Sequence, residues 1–197
     1  MLFIFDMGGV VTSNFSLSGK SNFFDKLGLT DKDFEILSEK AGFHDLCIGT
    51  ITPKQFWNNY NSIIKVERPE LPLVEHDLFR LCFHPVLNEE TVALIKALRK
   101  NHRVVCGTNT IDCHWENHME RGDYSIFNQT YPSNKIGSAK PDTEFFKLIL
   151  EAENTAPEDA FFTDDTPANV AAAASLGIHA ELFTSAADIT EKWKKYF

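Results

Sequence analysis

The second half of the chain alternates between helical and strand-like patterns, and this alternation restricts the fold more than any other feature of the sequence. From Asn88 onward, apolar residues at three- and four-residue spacing predict helices, and short apolar runs between them predict strands. Successive strands joined through helices form right-handed crossovers, which make the sheet parallel and put helices on both of its faces. The predicted helices cover 89–100, 112–120, 143–153, 168–176 and a last segment from 186, and the predicted strands cover 103–107, 125–130, 160–163 and 178–182.

The N-terminal residues predict one further strand of this sheet. The apolar run 2–5 stops at Asp6, which is the pattern of a central parallel strand covered on both faces. The next seventy residues carry helical patterns alone, near 21–27, 31–40, 52–64 and 73–83. We therefore predict an α/β fold with a Rossmann-like, three-layer α/β/α core domain, residues 1–13 and 85–197, around a parallel sheet. A small helical cap, residues 14–84, is inserted after the first strand.

The charge and the cysteine content argue against several kinds of partner and location. The chain has 19 basic and 28 acidic side chains, a formal net charge of −9 and no run of Lys or Arg. A negative surface repels phosphate backbones and anionic lipids, so we expect neither nucleic acid nor a membrane as a partner. The four cysteines form no CxxC pair, and no basic segment with a long apolar run precedes Asp6. These features predict reduced thiols in a cytoplasmic protein.

Polar residues stand at or shortly after the ends of the predicted strands. In open parallel sheets, ligands bind beyond the carboxyl ends of the strands, so these residues are the first candidates for a functional site. They are Asp6, Thr108, Asn109, Lys140, Asp164 and Asp165. Each of them alone is commonly a turn residue, a helix cap or a surface residue. Their recurrence at one edge of the sheet is not explained by those roles, and it predicts a single shared site.

Three carboxylates and a lysine at one sheet edge suit one kind of chemistry. Carboxylates held close together repel one another unless a hard cation lies among them, and Mg²⁺ prefers oxygen ligands of this type. A carboxylate that attacks a phosphate dianion meets repulsion, which Mg²⁺ and the Lys140 ammonium would offset. Groups at Thr108 and Asn109 can hold phosphate oxygens in line for the attack. We therefore predict Mg²⁺ as cofactor and a small phosphorylated molecule as substrate.

Four segments resemble the motifs of the haloacid dehalogenase (HAD) superfamily of hydrolases, in the order in which that family has them. They are IFDMGGVV, VVCGTNT, the lysine of SAKPD, and FFTDD with a following asparagine. Through HRVVCGTNT and GFHDLCIGTIT, the chain looks most similar to the branch with bacterial α-D-glucose-1-phosphate phosphatases and the N-terminal phosphatase domain of soluble epoxide hydrolase. The resemblance implies a phosphatase that acts on a small metabolite, such as a sugar phosphate, through an aspartyl-phosphate at Asp6.

The resemblance also implies a role for each candidate residue. The implied metal ligands are Asp6, Gly8 through its carbonyl, Asp165, and Asp164 directly or through water. The residues implied to bind the transferring phosphate are Thr108, Asn109 and Lys140. The catalytic residues implied are Asp6 as the nucleophile, Lys140 and Thr108.

One position departs from the pattern of most phosphatases in this family. They carry a second Asp two residues after the nucleophile, as general acid and base, and this chain has Gly8 there. Loss of a positioned proton donor typically lowers the rate by about 10²–10⁴-fold. The branch that the chain resembles also tolerates glycine here. An anomeric hydroxyl is a comparatively acidic leaving group that needs less protonation, so Gly8 is consistent with a sugar 1-phosphate as substrate.

Three other interpretations stay open. A metal-independent haloacid dehalogenase would share the nucleophile and the lysine, although the Asp-Asp pair would then lie uncompensated beside Asp6. A catalytically weak or silent binding or regulatory protein would account for Gly8. The third is a zinc site, for which the residues would be Cys113, His114 and His118.

The aromatic residues of the predicted cap have the helical spacing of an internal core rather than of a binding site. They are Phe23, Phe24, Phe34, Phe56, Trp57 and Tyr60. Single members of this set, or His44 and Asp45, are candidates for residues that face the mouth of the site and select the substrate.

Overall fold

The computed structural model describes residues 1–13 and 22–194 and contains a sheet of five parallel strands. The strands are β1 (Leu2–Phe5), β2 (Arg103–Thr108), β3 (Gln129–Pro132), β4 (Ala160–Asp164) and β5 (His179–Leu182). Their order across the sheet is β3-β2-β1-β4-β5, so the first strand of the chain is the central one. The carboxyl ends of β1, β2 and β4 are therefore neighbours at one edge.

The central position of β1 explains its uninterrupted apolar sequence. Side chains of a strand alternate between the two faces of the sheet. Phe3 and Phe5 are buried in the core on one face, and Leu2 and Ile4 are buried in the core on the other. Since helices cover both faces, no residue of β1 meets solvent, and every position requires an apolar side chain.

The helices form the outer two layers and a separate block between β1 and β2. The α-helices of the described residues are α1 (Phe23–Leu27), α2 (Asp31–Lys40), α3 (Phe43–Cys47), α4 (Pro53–Glu67), α5 (Leu78–Leu81), α6 (Glu89–Leu98), α7 (Asp112–Arg121), α8 (Ser133–Ile136), α9 (Thr143–Ala152), α10 (Pro167–Ser175) and α11 (Ala186–Trp193). Ile95 of α6 and Trp193 of α11 pack on one face of the sheet, and Ile149 of α9 and Ala173 of α10 pack on the other. The predicted three-layer, Rossmann-like α/β/α fold is confirmed.

Helices α1–α5 have an aromatic core of their own. Phe79 lies at its centre, with its ring centroid 4.7 Å from that of Trp57 and 5.5 Å from that of Phe23. The cap aromatics predicted to pack internally do so: Phe23, Phe34, Phe56, Trp57 and Tyr60 are buried in this cluster, and Phe24 packs against it. The boundaries of the predicted cap and core domain stay predictions. Residues 14–21, which begin the predicted cap, and 195–197, which end the predicted core, lie outside the described residues.

The predicted helix over 73–83 is wrong for most of its length, since α5 covers Leu78–Leu81 alone. Two polar side chains account for the difference. The Asn61 side chain accepts a hydrogen bond from the Val74 N–H and donates one to the Val74 carbonyl, which binds this segment to α4. The Asp77 carboxylate then caps the short helix by accepting from the N–H groups of Phe79 and Arg80.

The third predicted strand, over 125–130, is also shifted from its real position. Asp123–Ile126 forms a 3₁₀ helix, and β3 begins only at Gln129. β3 lies at the edge of the sheet and is largely half-exposed, so its sequence lacks a regular apolar alternation. Helix α3, which begins directly after Gly42, and the four-residue helix α8 were not predicted. None of the helices within 1–13 and 22–194 combines the length and the apolar character that a membrane-spanning helix requires.

Candidate active site

A cavity of about 410 Å³ lies at the carboxyl ends of the central strands. Asp6 follows β1 directly and is joined to β4 by a hydrogen bond from its N–H to the carbonyl of Thr163. Of the predicted site residues, those that line the cavity are Asp6, Gly8, Thr108, Asn109, Lys140 and Asp165. Asp164 lies behind them, fully buried, and contacts Lys140. The structure thus brings the predicted residues together, while their roles stay predictions.

Lys140 links two buried carboxylates. Its Nζ lies 2.7 Å from Oδ1 of Asp6 and 2.6 Å from Oδ2 of Asp164, and its side chain is 1% exposed. Burial alone would lower the pKa of this lysine, but the two carboxylates outweigh burial and raise it. The ammonium is therefore charged at neutral pH, and it aligns both acidic groups toward the same point.

The surroundings of Asp6 disfavour its ionised form even though Lys140 is its partner. The pKa of its carboxyl is raised from 3.8 to about 6: burial raises it most, the Lys140 ammonium opposes this, and the charge of Asp164 adds to it. A second positive charge in the cavity would lower the pKa of Asp6, because it would favour the ionised carboxylate. The ionised form is the one that can act as a nucleophile or a metal ligand.

Asp164 is the most constrained acid of the site. Its Oδ1 accepts a hydrogen bond from the Thr166 N–H at 2.8 Å, and the Asn169 amide donates to both carboxylate oxygens at 3.0 and 3.1 Å. Together with Lys140, these donors compensate the buried charge and hold its orientation. The asparagine that follows the Asp-Asp pair in the sequence therefore orients Asp164.

Asn109 binds the backbone of Lys140. Its side-chain amide donates to the Lys140 carbonyl at 2.7 Å, and its side-chain oxygen accepts from the Lys140 N–H at 2.8 Å. This paired contact fixes the lysine relative to the end of β2. The Asn109 side chain thus acts on Lys140, so a contact of this residue with phosphate would use its backbone N–H. That contact, and the predicted phosphate contact of the buried Thr108 hydroxyl, stay predictions.

The three carboxylates are arranged as oxygen ligands of a cation would be. Asp6, Asp164 and Asp165 each offer one oxygen, and these atoms lie within 4.8 Å of one another. The Lys140 ammonium contacts two of these carboxylates, those of Asp6 and Asp164. Hard oxygen donors in this number fit Mg²⁺. The Gly8 carbonyl, predicted as a further ligand, belongs to the wall of the same cavity.

Within 1–13 and 22–194, the side chains that lie close enough together to share a metal ion are those of this carboxylate trio. The side chains of Cys113, His114 and His118 do not form such a group. The Nδ1 of His118 is bound to Asp123, and Nε2 of His114 lies 3.2 Å from the Phe79 carbonyl oxygen. The zinc interpretation is therefore wrong for these residues.

A second part of the cavity wall is aromatic, and the sequence did not predict it as part of a site. Phe83, His114, His118 and Tyr124 line it, and the rings of Phe83 and His114 stack at 3.8 Å. We refer to these four residues as the aromatic end, and to Asp6, Lys140, Asp164 and Asp165 as the charged end. His44, Asp45 and the predicted cap aromatics do not belong to this wall. The four-residue spacing of the two histidines on α7, just after the second motif, was the available indication.

The fold and the cavity agree with the comparison against known families. The model of the haloacid dehalogenase-like hydrolases matches residues 1–177, and the chain belongs to this family. The protein is thus a hydrolase of the HAD class.

Individual relatives are more distant. A segment of 61 residues is 41% identical to drimenol cyclase of Aspergillus calidoustus; it represents 31% of this chain and only 12% of the cyclase. A predicted HAD-like family hydrolase from Porphyromonas gingivalis is 25% identical, with a TM-score of 0.78 over 98% of this chain and 97% of that one.

Two further solved structures show the shared fold. A HAD family enzyme of Bacteroides thetaiotaomicron, in complex with magnesium and inorganic phosphate, has a TM-score of 0.68 and 24% identity over 93% of this chain and 92% of its own. The L-2-haloacid dehalogenase of Xanthobacter autotrophicus, with chloropropionic acid covalently bound, has a TM-score of 0.60 and 12% identity over 90% and 74%.

Proposed function

We propose that this hydrolase is a magnesium-dependent phosphatase that transfers the phosphate of a small metabolite to the carboxylate of Asp6 and then hydrolyses the aspartyl-phosphate. The observation that carries the proposal is the close grouping of three carboxylates at the charged end. One oxygen each of Asp6, Asp164 and Asp165 lie within 4.8 Å of one another, so negative charge is concentrated beside the nucleophile. A divalent cation balances that charge, and a phosphate ester is a substrate that uses both the cation and the lysine.

Each residue of the charged end has a task in this reaction. The proposed metal ligands are Asp6, Asp165, Asp164 and the Gly8 carbonyl. Mg²⁺ held by these ligands would supply positive charge to the phosphoryl oxygens and would lower the pKa of Asp6. Lys140 keeps Asp6 oriented and offers its ammonium to the phosphate, and Thr108 and the Asn109 N–H hold phosphate oxygens in line. Partners are limited to this small substrate, with no role for nucleic acid or membrane.

The haloacid dehalogenase chemistry of one fold neighbour is the second candidate. Its supporting observation is that Lys140 and Asn169 already compensate Asp164, so part of the acidic cluster is stable without a metal. Asp165 remains beside Asp6 as an additional negative charge, which disfavours the candidate because a metal-free site would have to bear it. Chloride release from 2-chloropropionate in the presence of a chelator would support this chemistry over phosphatase activity.

The test is a panel of phosphate esters assayed for phosphate release with Mg²⁺, with EDTA, and with the Asp6→Asn variant. We expect metal-dependent release from the wild-type protein. EDTA should abolish it, and Asp6→Asn should lower it by at least about 10⁴-fold, because the nucleophile is lost. Phosphate release that persists in Asp6→Asn would contradict the proposal. Asp45→Asn is the matched control: this aspartate is exposed and outside the cavity, so its variant should keep wild-type activity.

A further inference from the structure

An imidazole oriented by a buried carboxylate lies in the aromatic end of the cavity. The Nδ1 of His118 is 2.8 Å from Oδ2 of Asp123, and the two side chains are only 5% and 4% exposed. Arg121 donates to the same Asp123 oxygen at 2.9 Å, which holds this carboxylate in place behind the imidazole. When Nδ1 of a histidine carries a proton and donates it to a carboxylate, Nε2 is the nitrogen that gains or loses the second proton. It can therefore act as a base when neutral and as an acid when protonated.

A proton donor and acceptor from another part of the chain could do what Gly8 cannot, because Gly8 has no side chain with which to act as general acid and base. Among the ionisable residues of the cavity wall, Asp6 is the proposed nucleophile, Lys140 is bound to two carboxylates, and Asp165 is a proposed metal ligand. His114 has its Nε2 at the Phe79 carbonyl. His118 differs from these residues in that the carboxylate of Asp123 binds its Nδ1, which directs its Nε2 as a site of proton transfer.

Tyr124 provides an independent indication that a polar ligand atom belongs here. Its side chain is 8% exposed and lines the cavity, and its hydroxyl is buried without a hydrogen-bond partner. Burial raises its pKa above the ordinary value of 10.0, and the charges of Cys106, Asp6 and Asp123 raise it further, so the phenol stays protonated and can donate. A buried hydroxyl without a partner is unfavourable unless a bound molecule completes its hydrogen bond.

We propose that His118, oriented by Asp123, is the general acid and base that replaces the missing carboxylate at position 8, and that the Tyr124 hydroxyl binds the leaving-group oxygen. This rests on the phosphatase function proposed above. In the first step an Asp6 oxygen bonds to phosphorus, the bond from phosphorus to the ester oxygen breaks, and that oxygen takes the electron pair and the Nε2 proton of His118. In the second step His118 takes a proton from the attacking water, phosphate leaves, and the Asp6 carboxylate is restored.

The charged and titratable groups that face His118 set the pH at which it works. They are Asp123 and Arg121, which form the ion pair behind it, His114 on the same helix, and Tyr124 across the ring contact. Burial lowers the pKa of His118 below its ordinary 6.5, and Asp123 opposes this. Because a general acid has to be protonated, turnover of an ester with a poor leaving group falls as the pH rises through this pKa.

The experiment compares phenyl phosphate with p-nitrophenyl phosphate, which have similar shapes but leaving groups of very different acidity. Nitrophenolate departs without a proton, whereas phenolate is helped by one. In His118→Gln we expect kcat/KM, which reports the first step, to fall about 10²-fold for phenyl phosphate and to stay within about threefold for p-nitrophenyl phosphate. The fall in kcat/KM for phenyl phosphate with rising pH, which reports the protonated His118, should disappear as well. An equal loss on both esters, or no loss on either, would overturn the proposal.

Two further variants keep the test valid if His118→Gln folds poorly. Tyr124→Phe removes a hydroxyl without a partner, so its melting temperature should not fall, while its kcat/KM for phenyl phosphate should drop about 3- to 10-fold more than its kcat/KM for the nitro ester. His76→Gln, an exposed histidine outside the cavity, should match wild type on both esters. If wild-type protein and Asp6→Asn release equally little phosphate from both esters, the phosphatase function itself fails and the role of His118 fails with it.

Discussion

The charged and the aromatic ends of the cavity differ in how fully their polar atoms are satisfied. At the charged end, Lys140 makes contacts of 2.6 and 2.7 Å to two carboxylates, and Asn109 and Asn169 hold this group from behind. At the aromatic end, rings stack and the Tyr124 hydroxyl has no partner. The difference shows that the polar groups of the charged end are held in place by the protein itself. In the phosphatase that we propose, this end would receive the phosphate, and the leaving group would complete the aromatic end.

The strongest test of this contrast is Lys140→Met. It leaves the carboxylates of Asp6 and Asp164 buried without their common cation, and loss of one partner of a buried ion pair costs about 3–5 kcal/mol. We expect the free energy of unfolding in urea to fall by that amount and phosphate release to be lost.

Lys135→Met is the matched control for this variant. Lys135 pairs with Asp112 at 2.7 Å, the distance that separates Lys140 from Asp6, but its side chain is 51% exposed. Exposed ion pairs contribute about 0–1 kcal/mol, so Lys135→Met should change the unfolding free energy by less than about 1 kcal/mol. Equal losses in the two variants would show that burial does not distinguish the charged end.

A second test uses the raised pKa of Asp6. Its carboxyl has a pKa of about 6 in the metal-free folded protein, against an ordinary value of 3.8. Between these two pH values the folded state therefore binds more protons than the unfolded state. Stability from Asp6 is therefore fully present below about pH 4 and is lost as the pH rises through about 6. Without metal, Asp6→Asn should gain stability relative to wild type over this range, by up to about 3 kcal/mol.

The measurement is urea unfolding of both proteins at several pH values between 4 and 8, with EDTA and then with Mg²⁺. Added Mg²⁺ should stabilise the wild-type protein and remove most of the advantage of Asp6→Asn, because the cation favours the ionised carboxyl. A stability difference between the two proteins that is independent of pH would show that burial does not raise the pKa of Asp6.

The smallest expected effect belongs to the aromatic end. Phe83→Leu removes the ring that stacks on His114, and aromatic pairs of this kind contribute about 0.5–1.5 kcal/mol. We expect KM for a phosphate ester to change about 3- to 10-fold. Inhibition by inorganic phosphate, which under the proposed function would bind at the charged end, should be unchanged.

Phe183→Leu is the control for this change, since Phe183 is a buried phenylalanine of the core that does not line the cavity. It should lower the melting temperature while leaving KM as it was. A change in phosphate inhibition in Phe83→Leu equal to the change in KM would mean that the two ends are not independent.

Much of the charged end could be predicted from the sequence, because strand ends in a parallel sheet meet at one edge whatever the loops do. Asp6, Thr108 and Asp164 come at the ends of β1, β2 and β4, which are adjacent in the sheet. The task of Asn109 could not be predicted, since a side chain that follows a strand can face a ligand or turn to a neighbouring loop. Its contact with the Lys140 backbone depends on the path of a loop thirty residues later.

By itself, the sequence determined the three-layer fold, the central place of β1 and the set of acids at its end, because hydrophobic periodicity and strand order are local or topological properties. Only the tertiary structure decided which groups complete the cavity. Phe83 and Asp123 lie on either side of α7, in segments where the predicted helix and the predicted strand differ from the structure. They meet His114 and His118 through packing and one buried ion pair, and periodicity specifies which face of a helix is buried but not which side chains it meets.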